Sequence, residues 1–227
     1  MELKYPFILI NFKTYLEAQG KNAVSLGKII EKVSREYGVC MGAAPQFSDL
    51  HPVASCADIP VFSQHLDPDL PGSHTGYVLP ESLKDAGAYG TLLNHSERRL
   101  QADVIEKSIE RCRALGLVTC VCANTSAVGK ALAAFDPDMI AVEPPELIGS
   151  GVSVSKSKPE VIENSVRMVK ELNKKTHVLC GAGIMGGKDL AAALLLGSEG
   201  ILVASGVVKS KDPEAVLREF AQEATRI

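Results

Sequence analysis

Short apolar runs recur along the chain at a steady interval, and each has the length of a β-strand. Several are continuous and do not alternate with polar residues, which is typical of strands covered on both faces, as in a parallel sheet. The eight runs are Phe7–Asn11, Gly38–Gly42, Ile59–Phe62, Tyr89–Leu93, Leu117–Cys122, Met139–Val142, His177–Cys180 and Gly200–Val203.

Helical patterns lie between these runs. The stretch 103–115 carries apolar residues at helical spacing, and Gly116 follows it as a common helix stop. Pro159 stands in the first turn of another helical pattern, and the last pattern begins at Asp212 and Pro213. The chain therefore alternates strands with helices.

This alternation predicts a parallel sheet, which can be a closed (β/α)8 barrel or an open doubly wound sheet. Eight units in 227 residues average about 28 residues each, enough for a strand, a helix and two tight loops. The regular spacing favours the barrel. We therefore expect residues 1–227 to form a single α/β domain of eight parallel strands with outer helices.

Polar residues follow the strands at their carboxyl ends, where barrels of this kind build their active sites. Asn11 and Lys13 end the first run and share a face, because side chains alternate along a strand. His95 follows the fourth run, and Glu143 follows the sixth. Each residue alone is also typical of a solvated charge or a structural polar group. Together, an ammonium, an imidazole and a carboxylate at one end of the sheet predict a catalytic site.

Small residues follow the sixth, seventh and eighth runs, in the segments 149–151, 181–183 and 204–206. Small side chains let backbone N–H groups approach an anion closely, although each segment alone also fits a simple turn. In such barrels the loops after strands 7 and 8 commonly bind phosphate. The pattern therefore predicts a phosphorylated substrate.

The composition narrows the class of partner. The formal net charge is −3, and no cluster of Lys or Arg indicates binding to nucleic acid or to a membrane surface. No run of 18 apolar residues and no signal-peptide pattern occurs. The six cysteines include no Cys-x-x-Cys pair, so we expect buried, reduced thiols in a cytosolic protein.

Three motifs, in this order, resemble the signatures of the triosephosphate isomerase family. They are Asn11-x-Lys13, the run Asn-His-Ser-Glu-Arg-Arg at 94–99, and the run Ala-Val-Glu-Pro-Pro-Glu-Leu-Ile-Gly-Ser-Gly at 141–151. The segment 72–76 also fits the third loop of that family. The resemblance covers essentially the whole chain and implies a TIM barrel.

The chain departs from the common family pattern at three places. In the family, the loop after the sixth strand forms a lid that usually carries a Trp where this chain has Glu146, and the chain contains no Trp at all. The segment Cys180–Gly183 replaces a Tyr-Gly-Gly-Ser motif, and Ala204-Ser205 replaces a Gly-Gly pair. The chain is also short, and these features resemble the compact archaeal branch of the family.

The resemblance implies the interconversion of dihydroxyacetone phosphate and D-glyceraldehyde 3-phosphate through an enediolate, in glycolysis and gluconeogenesis. Glu143 would be the base, and His95 would polarise the carbonyl as a neutral imidazole. Lys13 would supply positive charge, Asn11 would bind substrate oxygens, and Glu97 would orient Lys13. No metal, nucleotide or other cofactor is implied.

The resemblance also implies a lid over residues 144–151, which would close on the substrate phosphate. The substrate-binding residues it implies are Asn11, Lys13, Ile148, Gly149, Gly183, Ala204 and Ser205.

The implied assembly is a homo-oligomer. Thr75 would insert beside Lys13 and His95 of a neighbouring subunit, so that a dimer would be the active unit. Compact archaeal members commonly pair two dimers into a homotetramer. The expected partners are thus a phosphorylated triose and further copies of the chain, with no nucleic acid and no membrane, in the cytoplasm.

Two other functions remain open from the residues. One is another phosphate-binding barrel, which would share the strand 7 and 8 site without requiring His95 and Glu143 together. The other is a catalytically silent phosphate-binding or scaffold protein.

Overall fold

The computed structural model describes residues 2–144 and 159–227, and its strands form one eight-stranded parallel sheet. The strands are β1 Phe7–Asn11, β2 Cys40–Ala44, β3 Phe62–Ser63, β4 Gly90–Leu93, β5 Val118–Ala123, β6 Met139–Val142, β7 His177–Cys180 and β8 Gly200–Val203.

The sheet closes on itself. The strands follow the order β2-β1-β8-β7-β6-β5-β4-β3, and β1 lies parallel to both β2 and β8. An isolated bridge between Ala43 and Val61 joins β2 to the segment before β3, where the Ala43 N–H donates to the Pro60 carbonyl at 3.1 Å. The predicted barrel is confirmed. The open doubly wound sheet is wrong, because each of its two edge strands would have a single neighbour, whereas here the bridge between Ala43 and Val61 joins the two ends of the strand order.

Helices connect the strands. In the described part of the chain they are α1 Lys21–Tyr37, α2 Phe47–Cys56, α3 Pro80–Asp85, α4 Ala102–Leu115, α5 Ser126–Ala133, α6 Pro159–Leu172, α7 Gly187–Leu195, α8 Ser205–Val208 and α9 Pro213–Ala224, with a 3₁₀ turn at Leu16–Ala18.

The predicted end of α4 and the predicted start of α9 are both confirmed. Gly116 ends α4 with a φ of 69°, a left-handed conformation that glycine adopts without a steric penalty. The Asp212 side chain accepts a hydrogen bond from the Ala215 N–H at 3.0 Å, and Pro213 occupies the first turn of α9.

The core has two layers, which explains the continuous apolar runs. In β1, Phe7 and Leu9 belong to a cluster built from strand residues inside the barrel. Ile8 and Ile10 alternate with them and pack in a second cluster against the helices. All four side chains are fully buried, so both faces of the strand are covered, as predicted.

Four strands differ from the predicted bounds, of which β4 and β5 differ by a single residue at one or both ends and β2 and β3 by more. The second run was placed at 38–42, but Gly38 ends α1 in the left-handed region and β2 occupies Cys40–Ala44. The third was placed at 59–62, but the strand is the pair Phe62–Ser63. Pro60 has no N–H to donate, so the ladder does not extend back through it.

The cysteines are all free. Cys112, Cys120, Cys122 and Cys180 are buried as expected, but Cys56 is exposed. The expectation of burial is therefore wrong for Cys56, which ends α2, and Cys40 is only half-buried. Within residues 2–144 and 159–227, none of the helices combines the length and the apolarity that a membrane span requires.

Candidate active site

A cavity of about 330 Å³ opens at the carboxyl ends of the strands. It brings together every described residue that the sequence assigned to the site, namely Asn11, Lys13, His95, Glu143, Gly183, Ala204 and Ser205. Ile148, Gly149 and the implied lid beyond Pro144 lie outside the described residues.

The imidazole and the carboxylate are in direct contact. His95 Nε2 lies 3.1 Å from Glu143 Oε1, and the two residues are only 8% and 2% exposed. Glu143 directly follows β6, and its own N–H donates to the Ala123 carbonyl on β5 at 2.7 Å. The Ser96 N–H donates to Glu143 Oε2 at a longer 3.4 Å. Thus the backbone of Glu143 makes a short hydrogen bond to β5, and the Ser96 amide contacts its side chain at a longer distance.

The hydrogen bonds of His95 indicate which ring nitrogen carries the proton. The Glu97 N–H donates to Nδ1 at 3.2 Å, so Nδ1 acts as an acceptor. Glu97 Oε2 also lies 3.5 Å from Nδ1, beyond ordinary hydrogen-bond range, and the other oxygen of that carboxylate is engaged by Lys13. This arrangement places the proton of a neutral ring on Nε2, where it donates to Glu143.

Lys13 is held at three points and takes an unusual conformation, with a φ of 46°. Its N–H donates to Asn11 Oδ1 at 2.9 Å, and its Nζ lies 2.8 Å from Glu97 Oε1, as the resemblance implied. Its carbonyl accepts from Gln64 Nε2 at 2.9 Å, and the same nitrogen donates to the Ala44 carbonyl at 3.0 Å. A non-glycine residue with positive φ persists only when its surroundings hold it there.

Gln64 was missed by the sequence reasoning. Its amide ties the loop after β3 to the ends of β1 and β2. The available signal was its position two residues after the third apolar run. Nothing in the pattern of residues indicated its partners.

Two neighbours limit the space around Glu143. A Cβ atom placed on Gly181 would lie 2.6 Å from Glu143 Cγ, far inside normal contact. The Cys122 thiol lies inside the barrel, and burial and the Glu143 carboxylate raise its pKa well above the usual range. Gly181 was expected only as part of a phosphate turn, but the structure shows that its lack of a side chain also leaves room for Glu143.

Small residues after β7 and β8 form another part of the cavity lining. Gly183 has a φ of 72°, which favours glycine. Ala204 precedes α8, and Ser205 is the first residue of that short helix. Backbone N–H groups at such a turn favour an anion.

A second groove of about 370 Å³ shares Lys13 and His95 with the cavity and is also lined by Phe47, Gln64 and His65. Thr75 does not line this groove in the same chain. It lies in an exposed loop between β3 and α3.

The base of the Thr75 loop is ordered by Asp67. Its Oδ2 accepts the Val78 N–H at 2.7 Å, and its N–H donates to the Val78 carbonyl at 2.9 Å. Beyond this clamp, Leu70 and Tyr77 are 66% and 53% exposed. The loop thus presents apolar side chains to the outside.

Comparison with known proteins agrees with this geometry. Residues 6–222 match the family model for triosephosphate isomerase. A triosephosphate isomerase from Methanocaldococcus jannaschii is 55% identical over 213 residues, covering 94% of this chain and 97% of that protein. Those from Methanoculleus marisnigri and Methanothermus fervidus are 51% and 50% identical, covering 95% and 96% of this chain and 97% and 98% of theirs. The resemblance inferred from the motifs is confirmed, and the chain belongs to the triosephosphate isomerase family.

Proposed function

We propose that this chain interconverts dihydroxyacetone phosphate and D-glyceraldehyde 3-phosphate, a step of glycolysis and gluconeogenesis. The observation that carries the proposal is the buried contact between His95 Nε2 and Glu143 Oε1 at the wall of a cavity that Lys13 also lines. A base, a neutral hydrogen-bond donor and a cation around one cavity suit the removal of a proton next to a carbonyl.

Glu143 is assigned the proton transfer between the two carbons. It takes a proton from the carbon next to the carbonyl, and the electron pair moves to the carbonyl oxygen to form an enediolate. Returning the proton to the neighbouring carbon gives the isomer, so no atom is gained or lost. Tight packing by Gly181 and a long bond from the Ser96 amide support this role, because they position the carboxylate without neutralising it.

His95 is assigned the oxygens. When substrate binds, the Nε2–H group of His95 exchanges its hydrogen bond to Glu143 for one to the carbonyl oxygen of the substrate. His95 then moves protons between the two oxygens of the enediolate. The acceptor role of Nδ1 supports this assignment, since it leaves the proton on Nε2, the nitrogen that contacts Glu143.

Lys13 and Asn11 are assigned the negative charge that develops on the substrate. The ammonium of Lys13 is paired with Glu97 but lines the cavity, so it lies within reach of an oxyanion or a phosphate. Asn11 uses Oδ1 on the Lys13 N–H, and its Nδ2 is the donor that we assign to substrate oxygens.

The phosphate is assigned to the wall formed by Gly183, Ala204 and Ser205, with Ile148 and Gly149 contributing when the implied lid closes. The left-handed backbone at Gly183 and the start of α8 at Ser205 support this placement. A cavity of about 330 Å³ is in the range that holds small ligands.

The active unit is proposed to be a dimer, in which the Thr75 loop of one copy enters the second groove of the other. The exposed Leu70 and Tyr77 on the loop and the half-exposed Phe47 at the groove support this pairing. Two such dimers would form the tetramer that the compact archaeal branch implies, and light scattering measures the assembly directly. Six free cysteines support a reducing compartment, and we propose the cytoplasm.

A coupled assay of glyceraldehyde 3-phosphate isomerisation tests the proposal. Wild type should turn over, and Glu143→Gln should lower kcat by on the order of 10²–10⁴, the usual contribution of a positioned base. Glu199→Gln, at the opposite end of the barrel, is the matched control and should stay within about threefold of wild type. Phosphate binding by wild type without isomerisation would instead favour another phosphate-binding barrel or a silent scaffold, and an active Glu143→Gln would remove the base assignment.

A further inference from the structure

Three non-glycine residues in the described part of the chain have a positive φ: Lys13 at 46°, Asn94 at 57° and Asp136 at 57°. Asn94 directly follows β4 and directly precedes His95. Asparagine tolerates the left-handed region better than most residues, because its short side chain can bond to nearby backbone. The direction in which the chain enters His95 is therefore set by an unusual backbone turn at Asn94.

Both polar atoms of the Asn94 side chain are used to hold this turn. Nδ2 donates to the Cys122 carbonyl on β5 at 2.9 Å, and Oδ1 accepts from the Leu100 N–H at 2.9 Å. The Asn94 carbonyl accepts from Arg99 Nη1, also at 2.9 Å. The side chain is buried, with the residue 7% exposed, so bulk water cannot easily replace these bonds. Asn94 thus ties both ends of the loop 95–99 to the barrel.

That loop carries the two amides that orient the reacting pair. The Glu97 N–H donates to His95 Nδ1, and the Ser96 N–H donates to Glu143 Oε2. The Arg98 N–H closes the loop on the His95 carbonyl at 2.8 Å. Asn94 itself is not among the residues that line the cavity. Any effect it has on the reaction must pass through this loop.

We propose that Asn94 is a positioning residue that fixes the ring of His95 and the tautomer with its proton on Nε2. The inference rests on the proposed roles of His95 and Glu143. Without the two side-chain bonds, the loop loses its anchors to β5 and to Leu100, and the Glu97 amide no longer has a fixed direction. The ring is then free to place its proton on Nδ1, which leaves Nε2 without a proton to give to the substrate carbonyl.

The chain offers a matched control in Asp136, which lies at the other end of the barrel. It has the same φ as Asn94, and its side chain also makes two bonds, from Asn173 Nδ2 at 2.7 Å and from Arg113 Nη2 at 3.2 Å. Glycine adopts this backbone conformation freely, so Asn94→Gly and Asp136→Gly each remove two side-chain bonds without adding strain.

The experiment measures kcat, KM and Tm of both variants, together with the ¹⁵N chemical shifts of the His95 ring in the absence of substrate. Asn94→Gly should lower kcat by roughly ten- to a hundredfold, the scale of a small misplacement of a reacting group, with KM within about twofold. Its ring nitrogens should change from a single Nε2-protonated form to a mixture. Asp136→Gly should lower Tm and leave kcat within about twofold of wild type.

Asn94→Asp keeps the acceptor for the Leu100 N–H and loses the donor, so its kcat should fall between those of wild type and Asn94→Gly. If Asn94→Gly does not fold, the kcat and the ring ¹⁵N shifts of Asn94→Asp test the positioning role in its place. The proposal is overturned if the ring of wild type carries its proton on Nδ1. It is also overturned if removing the Asn94 bonds leaves the shifts unchanged, or if Asp136→Gly loses as much kcat. Because the ring shifts are recorded without substrate, they test the positioning role even if the proposed reaction fails.

Discussion

The two ends of the barrel each hold a buried or half-buried pair of histidine and glutamate, and the pairs differ in their surroundings. At the carboxyl ends of the strands, His95 and Glu143 contact each other at 3.1 Å beside the cavity. At the amino ends, His177 Nδ1 lies 2.7 Å from Glu199 Oε1, and Lys170 Nζ lies 2.8 Å from Glu199 Oε2. Glu199 is paired with the ammonium of Lys170. Among the described residues, Glu143 is contacted by His95, the Ser96 amide and the Cys122 side chain, and no cation lies within salt-bridge distance of it.

The pKa of Glu199 reflects its partners. Burial raises it, but the bonds from Lys170, His177 and the Val178 N–H outweigh burial and bring the pKa below its ordinary value. The ring of His177 is further fixed by stacking on Tyr5 at 3.7 Å between ring centres. The pair of His177 and Glu199 therefore fastens strands together, whereas the pair of His95 and Glu143 is the one to which we assign the proton transfer.

Cavity size does not separate the two ends. The cavity beside His177 measures about 470 Å³, larger than the 330 Å³ beside His95. What distinguishes the cavity beside His95 is its chemistry: a carboxylate that no cation of the described residues pairs with, an imidazole with an assigned proton, and a lining of small residues. In barrels of this kind reactive groups occupy the carboxyl ends and structural groups the amino ends.

Replacing the histidines tests this contrast with the largest expected effect. His95→Gln should lower kcat by about 10²–10⁴ with a smaller change in KM, because the donor acts on charge that develops during the reaction. His177→Gln should lower Tm and leave kcat within about threefold. Steady-state kinetics and thermal melts of the two variants measure this, and equal losses of kcat would erase the distinction between the two ends.

Replacing two glycines tests whether the position of Glu143 matters as well as its presence. In Gly181→Ala the new Cβ would lie 2.6 Å from Glu143 Cγ, so the carboxylate must shift, and kcat should fall roughly ten- to a hundredfold.

Gly129→Ala is the control for that change. Its Cβ would meet other side chains at ordinary distances of 3.6 and 3.7 Å, and alanine is favoured within α5 by about 0.5–1 kcal/mol. We expect wild-type kcat and a higher Tm. Full activity in Gly181→Ala would show that Glu143 tolerates displacement.

A smaller effect is expected on stability at low pH. Because the folded pKa of Glu199 is depressed, its ion pairs stabilise the fold above the unfolded pKa of about 4.3, and this stabilisation is lost as the pH falls through the folded pKa. Wild type should thus exceed Glu199→Gln by roughly 0.2–1 kcal/mol at neutral pH, the scale of a solvent-screened pair. The gap should close in acid. Unfolding of the two proteins followed against pH measures it, and a gap that widens below pH ~4 would contradict the assignment.

The sequence predicted the barrel and the described residues that line the cavity because both depend on local patterns. Continuous apolar runs indicate strands covered on two faces, and residues that directly follow strands meet at one end of a barrel. Bonds between distant segments escaped this reasoning. Gln64 lies 51 residues from its partner Lys13, and Asn94 lies 28 residues from Cys122. Such contacts depend on the register between strands, which apolar periodicity does not encode.

The central claim is that Glu143 moves a proton between two carbons of the substrate, and incubation with glyceraldehyde 3-phosphate in D₂O tests it most directly. We expect wild type to place deuterium on carbon during repeated interconversion, because the carboxyl proton exchanges with solvent. Glu143→Gln should lose exchange and isomerisation by the same factor, while Glu199→Gln retains both. Repeated interconversion that leaves carbon free of deuterium, or undiminished exchange in Glu143→Gln, would contradict the account.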